Sequence, residues 1–326
     1  MAETLLEDAL ASLLAAHSTP DAIRHIEAGD AGAALWSAIE ESGFADALVA
    51  ESQGGAGLVL ADAFALFELC GHHLLPTPLA QTMLARGALA LHDHTPPTGA
   101  MVFAVSGTGS GVLLHEGSTA HWVLLGDGER LRLFDIRDSS LERSAERSLD
   151  VSLRALPEPT WTCASTLDVR ALQALVLAAQ MAGAMNRLLG LSLRFANERS
   201  QFGRSIGKFQ AIQHQLSVMA EHVAAARTAA RMGCETQQVL PDPLHCALAK
   251  ARTSAAVTTV TGVAHAVHGA IGITEEFDLQ LCTRRLQAWR TAAGSESYWH
   301  HRIGAALVAV PGLALPDFAL EQLCGV

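Results

Sequence analysis

The sequence predicts a mainly α-helical protein with one small β domain, and three observations carry that prediction. Apolar residues recur every three or four positions at both ends of the chain. A central stretch changes to short β-rich runs separated by glycine turns. Long helical segments then fill the remainder. The divisions fall at a helical N-terminal domain over 1–95, a reduced β domain over 96–165 and a C-terminal four-helix bundle over 166–326.

In the first unit, Leu5, Leu6, Ala9, Leu10, Leu13 and Leu14 form one helical stripe, and Ala63, Leu66, Phe67 and Leu69 another. Breaks stand at Gly29, Gly54-Gly55 and Pro76/Pro78. In the second, Met101–Val105, Gly111–Leu114, His121–Leu125 and Leu131–Ile136 read as strands, with Gly126-Asp127-Gly128 as a turn. They predict a small antiparallel sheet of about four to seven strands. In the third, Ser165 or Thr166 caps a helix running to about Glu198, whose wide apolar stripe suits burial on more than one side. A loop, Arg199–Lys208, precedes a helix striped by Ile206, Phe209, Ile212, Leu216, Met219 and Val223, which ends near Gly233 or at Pro241/Pro243. Two further helices are expected, from Leu244 to about Val267 and from Glu275 to about Val308.

Composition narrows the function. With 326 residues, 50% hydrophobic and 17% charged, the chain is no disordered segment and has apolar surface to spare for a large interface. A formal charge of -11 argues against nucleic acid and anionic membrane as partners, so any bound phosphate must be held locally. The six cysteines are scattered without a CxxC pair or a secretory leader, as expected of free thiols in a reducing cytoplasm. The apolar stretch Ala171–Ala184 is interrupted by Gln173 and Gln180, short of the ~18 uninterrupted residues that a bilayer span requires. A soluble chain without membrane insertion is expected.

Three segments carry chemistry. The first is Arg199-Ser200-Gln201-Phe202-Gly203-Arg204-Ser205-Ile206-Gly207-Lys208-Phe209-Gln210, continuing to His214. The second is His268-Gly269-Ala270-Ile271-Gly272-Ile273-Thr274-Glu275-Glu276, and the third Glu51-Ser52-Gln53-Gly54-Gly55-Ala56-Gly57. In this order they resemble the RxQFGxPIxxFQxxxH, HGGxGxTxE and PExxGGxG signatures of the acyl-CoA dehydrogenases, flavoenzymes that desaturate acyl-CoA thioesters between Cα and Cβ. The resemblance implies FAD as cofactor, an acyl-CoA substrate and electron-transfer flavoprotein as electron acceptor. It also implies that the first segment reaches the FAD of a neighbouring subunit. Arg199, Gln201, Phe202, Gly203, Gln210, Gly269 and Gly272 are the implied cofactor-binding residues. Physically, Arg199 offers a bidentate charged contact to a pyrophosphate, and Gly203 lets backbone approach it closely. A basic surface loop is the plainer alternative. Phe209 fits a helix core at least as well as a flavin contact, and Gly269 and Gly272 serve a helix C-cap equally well.

Departures from the family pattern matter as much. Residues 96–166 hold neither a TEPxAGSD nor a KxWITN stretch, so this chain is not expected to enclose an isoalloxazine ring alone. Ala266 and Ala270 replace a usual Gln and Gly around the second segment. The family's base, a Glu before a Gly-Thr or Gly-Ser pair, falls at Ala292 or Ala293, and the alternative segment Asp242–Arg252 has no carboxylate near its middle. Glu296 lies about one turn beyond, ~4.5 Å along a helix, while Glu275 and Glu276 follow the glycine turn. Glu276 is expected to head the last helix and stabilise its dipole. The catalytic base in this chain is therefore unknown. A reduced β domain with no base resembles one subunit of the heteromeric α2β2 acyl-CoA dehydrogenases of steroid degradation. That resemblance implies a second acyl-CoA dehydrogenase subunit as partner; the rival is a degenerate scaffold that binds no cofactor.

Other constellations read more plainly. His265 and His268 are one helical turn apart without a third ligand, and His72-His73 and His300-His301 are adjacent, so no metal is expected. Ser106–Gly111 reads as a hairpin turn, lacking the Lys-Ser/Thr of a phosphate loop. Arg284, Arg285 and Arg290 read as a solvated helix face, with an interface or CoA-phosphate contact as the alternative.

Overall fold

A computed structural model describes residues 2–105, 111–310 and 316–318. The N-terminal helices are α1 (Ala2–His17), α2 (Pro20–Ala28), α3 (Ala33–Ser42), α4 (Leu60–His72) and α5 (Leu79–Leu91). Leu10, Leu14, Ala63, Leu66 and Phe67 of the two predicted stripes are buried, whereas Leu5 is exposed. Nearly all of α5 is buried, polar residues included. Those polar residues dock the next unit, because Thr82 Oγ1 accepts the Met101 N–H at 2.9 Å and Gln81 Oε1 the Phe103 N–H at 3.1 Å.

The strands are β1 (Met101–Val105), β2 (Val112–Leu114), β3 (Trp122–Gly126), β4 (Arg130–Asp135), β5 (Leu141–Arg143), β6 (Val151–Leu153) and β7 (Trp161–Ala164). They make two sheets instead of the single antiparallel sheet expected. One has the order β1-β3-β4-β7 and the other β2-β6-β5. Strand β1 runs parallel to β3, since β2 leaves for the second sheet and the chain re-enters beside β1 in the same direction. Period-two alternation divides the first sheet. Met101, Phe103, Trp122, Leu124, Leu131 and Leu133 join the helical core, while Val102, Val123, Leu125 and Phe134 pack on Leu114, Val151 and Leu153 of the second sheet. The turn expected at Ser106–Gly111 lies outside the described residues apart from Gly111.

The central helix of the C-terminal unit is α6 (Val169–Glu198). Its N-cap is Asp168, whose carboxylate accepts the Ala171 N–H at 3.0 Å, in place of Ser165 or Thr166. By length and composition α6 could cross a bilayer, yet 72% of its most apolar window is buried inside the protein. It crosses α4 with the two backbones nearly touching: a Cβ on Gly183 would stand 1.9 Å from the Glu68 carbonyl oxygen. A hairpin of β8 (Ser200–Gln201) and β9 (Arg204–Ser205) leads to α7 (Gln210–Cys234) and α8 (Pro243–His268).

The expected last helix is two, α9 (Leu279–Thr291) and α10 (Glu296–Val308). The chain breaks where Ala293 and Gly294 both adopt positive φ, at 55° and 105°. Two expectations fail with it. Glu296 is not one turn further along a continuous helix, and Glu276 precedes α9 by three residues, outside its first turn. Arg285 is buried instead of solvated, paired with the buried Glu27 of α2.

Candidate functional site

The segment after α6 folds into a two-residue β-hairpin because Phe202 and Gly203 both take positive φ, 51° and 78°, as a tight turn matched to strand twist demands. Glycine takes this conformation freely; phenylalanine does so at a cost, and its ring is 91% exposed. The edge of that ring meets Phe209, whose face carries the Arg204 guanidinium 4.1 Å from its centre.

Opposite stands the end of α8. Gly269 leaves the helix at φ 64° and ψ -145°, a conformation in practice restricted to glycine, and open space lies where a Cβ would be. His268 is buried and stacks on Phe195 with ring centres 4.4 Å apart. Burial lowers its pKa, so it is a neutral imidazole whose Nδ1–H donates to the Ala264 carbonyl at 2.8 Å. Its Nε2 has no partner among the described residues.

Between hairpin and helix end lies a cleft of about 540 Å³, lined by aromatic and aliphatic side chains together with Arg199 and Gln201. Among the described residues, twelve of the twenty arginines are ion-paired; the two at this cleft, Arg199 and Arg204, are not. Arg24, Arg86, Arg132, Arg227, Arg284, Arg285 and Arg302 each place a guanidinium nitrogen 2.5–2.9 Å from a carboxylate oxygen. Among the described residues no carboxylate pairs with Arg199, Arg204 or Lys208. Three unneutralised cations beside an aromatic-walled cleft can hold a flat, anionic ligand.

Of the residues singled out from sequence, the cleft wall brings together Arg199, Gln201, Phe202 and Gly269. Gly203 sits at the hairpin tip and Gln210 is exposed at the start of α7; neither lines the cleft. Gly272 is a packing residue, since a Cβ there would meet Leu279 Cδ2 at 2.7 Å. Phe209 packs on the core, as its helix stripe suggests, and also lines the cleft. Arg204 is not distinguished by the sequence, being an ordinary charge until a ring lies under it, and His268, considered there by itself only as a metal ligand, is placed in the cleft wall by the fold. His265 turns away, its Nε2 3.1 Å from Thr283 Oγ1. Among the described residues no group of three His, Cys, Asp or Glu could hold a metal.

A second region concerns the alanines at the expected base position. Ala292 and Ala293 are buried in the core, and below them Lys250, fully buried, reaches the connection from α8. Glu296 pairs with Arg290, which holds its carboxyl below the usual range. Glu275 pairs with Arg147 in the same way, at the surface. Neither carboxylate has the dry, unpaired surroundings that raise a base's pKa toward neutrality.

Residues 168–308 match the family described as acyl-CoA dehydrogenase, C-terminal domain. Acyl-CoA dehydrogenase IpdE2 of Mycolicibacterium smegmatis is 33% identical over 292 residues, covering 86% of this chain and 91% of that protein. Its namesake in Mycobacterium tuberculosis is 32% identical over 293 residues, covering 86% and 89%. In fold, the chain is similar to the Tcur3481-Tcur3483 steroid ACAD G363A variant, with a TM-score of 0.79 at 22% identity over 94% of this chain and 98% of that one. The ChsE4-ChsE5 complex from Mycobacterium tuberculosis gives the same score and identity over 96% and 98%.

Proposed function

This chain belongs to the acyl-CoA dehydrogenase family, and on that premise we propose that it is one subunit of a heteromeric, FAD-dependent acyl-CoA dehydrogenase that desaturates a steroid-derived CoA thioester. The observation that carries the proposal is the set of unpaired cations, Arg199, Arg204 and Lys208, beside an aromatic cleft. Elsewhere the chain neutralises most of its arginines. The residues fit a dinucleotide: guanidinium groups for the pyrophosphate, Phe202 and Phe209 for the flat base, and a backbone at Gly269 with no Cβ in the way.

FAD, when bound, accepts the hydride leaving the substrate Cβ. The part assigned to this chain is to hold and orient the cofactor and to shield its cleft from water. The Cα proton goes to a carboxylate of the partner subunit, because Ala292 and Ala293 offer none. Two things support an unlike partner. The two fold relatives are named as pairs of chains, and Phe202, Ile271 and Ile273 leave apolar surface exposed at the hairpin and past the end of α8. The steroid class follows the first of those pairs, a steroid ACAD. A cytoplasmic setting and electron-transfer flavoprotein as acceptor complete the proposal.

The test is an absorption spectrum of the chain purified alone and after co-expression with a candidate partner. Flavin is expected only in the complex. A yellow, active homo-oligomer of this chain would sink the proposal, and a colourless yet stable complex would favour the scaffold reading.

A further inference from the structure

The chain has twenty arginines and two lysines. One lysine, Lys208, is exposed beside the cleft; the other, Lys250, is completely enclosed in the helical bundle. Its Nζ lies 2.8 Å from the Arg290 carbonyl, 3.0 Å from that of Trp289, 3.1 Å from that of Gly294 and 2.9 Å from Ser254 Oγ. Three N–H hydrogens thus serve four oxygens. Two of the three carbonyls, those of Trp289 and Arg290, lie in the last turn of α9 and have no further turn to bond to; the third, that of Gly294, belongs to the connection itself. Ser254 adds a second strand to the tether by donating to the Arg290 carbonyl at 3.2 Å.

From the other side the connection is roofed by Trp299, whose Nε1–H donates to the same Gly294 carbonyl at 3.2 Å. Between floor and roof, Ala292 and Ala293 sit 2% and 9% exposed, and a Cβ on Gly294 would stand 2.7 Å from the Tyr298 ring. The charged groups that face Lys250 are Arg290 of α9 and Glu296 of α10, and these two pair with each other. An arginine is planar and larger, and an apolar side chain leaves the Trp289 carbonyl without a donor and the Arg290 and Gly294 carbonyls with one donor fewer each. A flexible, compact ammonium is the group that reaches all of them.

We propose that Lys250 is a positioning residue that locks the α9–α10 connection shut, so that the corner where these helices part stays closed to ligand in this chain. The inference leans on the subunit reading in one respect: an acyl site must then come from a partner.

The full chain, alone or in its complex, tests this by two measurements. Hydrogen exchange over 289–298 is expected to accelerate at least tenfold in Lys250→Met, with α4 and α6 unchanged, and to recover partly in Lys250→Arg, which restores a cation. Equal protection in wild type and Lys250→Met overturns the lock, as does a loss spread evenly over the chain. Acetic anhydride applied to the unsubstituted protein needs no variant. Lys208 should be acetylated at least a hundredfold faster than Lys250, and comparable rates would overturn the proposal. Flavin content reports on the subunit reading separately, because both measurements are made whether or not flavin is present.

Discussion

Arg285 and Glu27 form an ion pair of 2.8 Å in which both side chains are nearly enclosed, at 5% and 4% exposure. The pair joins α9 to α2, elements more than two hundred residues apart, and Arg284 binds the other Glu27 oxygen at 2.7 Å. A second Arg285 nitrogen donates to the Leu75 carbonyl at 3.1 Å. Removing one member of a buried pair costs ~3 to 5 kcal/mol when the other is left unpaired, and less where a second partner remains, as Arg284 does on Glu27. Arg285→Met should therefore lower the urea midpoint; an unchanged midpoint would mean that Arg284 alone satisfies Glu27.

For the cleft, Arg199→Ala in the co-expressed complex should reduce flavin occupancy while the subunits still assemble. One charge-assisted contact is worth ~1.5 to 3 kcal/mol, roughly ten- to a hundredfold in affinity. Flavin titration after deflavination measures it, and wild-type affinity would reduce Arg199 to a surface charge.

The carboxylates of this chain should be dispensable for chemistry. Glu276→Gln and Glu296→Gln are each expected to lower turnover less than tenfold in the complex, because Glu276 is exposed ahead of α9 and Glu296 is neutralised by Arg290. One Glu-to-Gln change in the partner should abolish it. A loss of several orders of magnitude from either change here, with flavin retained, would place the base in this chain.

Lys250 supplies a pH signature. Burial pushes its ammonium down from 10.5 to about 7, against the pull of Glu296, while four oxygens favour the charged form. Because the folded pKa lies below the unfolded one, the unfolded chain binds more protons between the two values. Folding stability from this group is thus lowest below about pH 7 and rises toward pH 10.5. The gain is at most about 1.4 kcal/mol per pH unit over that window. Denaturation of wild type and Lys250→Met at several pH values isolates it. A flat difference would show that the four oxygens fully offset burial.

Much of the helical architecture was legible in spacing, because a stripe at three and four residues requires a helix whatever it packs on. Helix ends were less so. Asp168 was passed over for Ser165, which looks equally capable until its hydroxyl is seen accepting the Leu167 N–H. The break at Ala293 carried little local warning, since alanine favours helix and only Gly294 hinted otherwise.

What the sequence determined by itself was the order of helical and β segments, a loop at Arg199–Lys208 with Gly203 in it, the glycine exit at Gly269 and the lack of a carboxylate at Ala292 and Ala293. These follow from residue identity acting on neighbouring backbone, over a range of a few residues. Only the tertiary structure decided which charges are free. Arg199, Arg204 and Lys208 are no different in sequence from Arg284, Arg285 or Lys250, yet the fold delivers Glu27 to two of these and a ring of carbonyls to the third. Whether a cation is spent on the fold or left for a ligand depends on partners hundreds of residues away, and no local pattern encodes that distance.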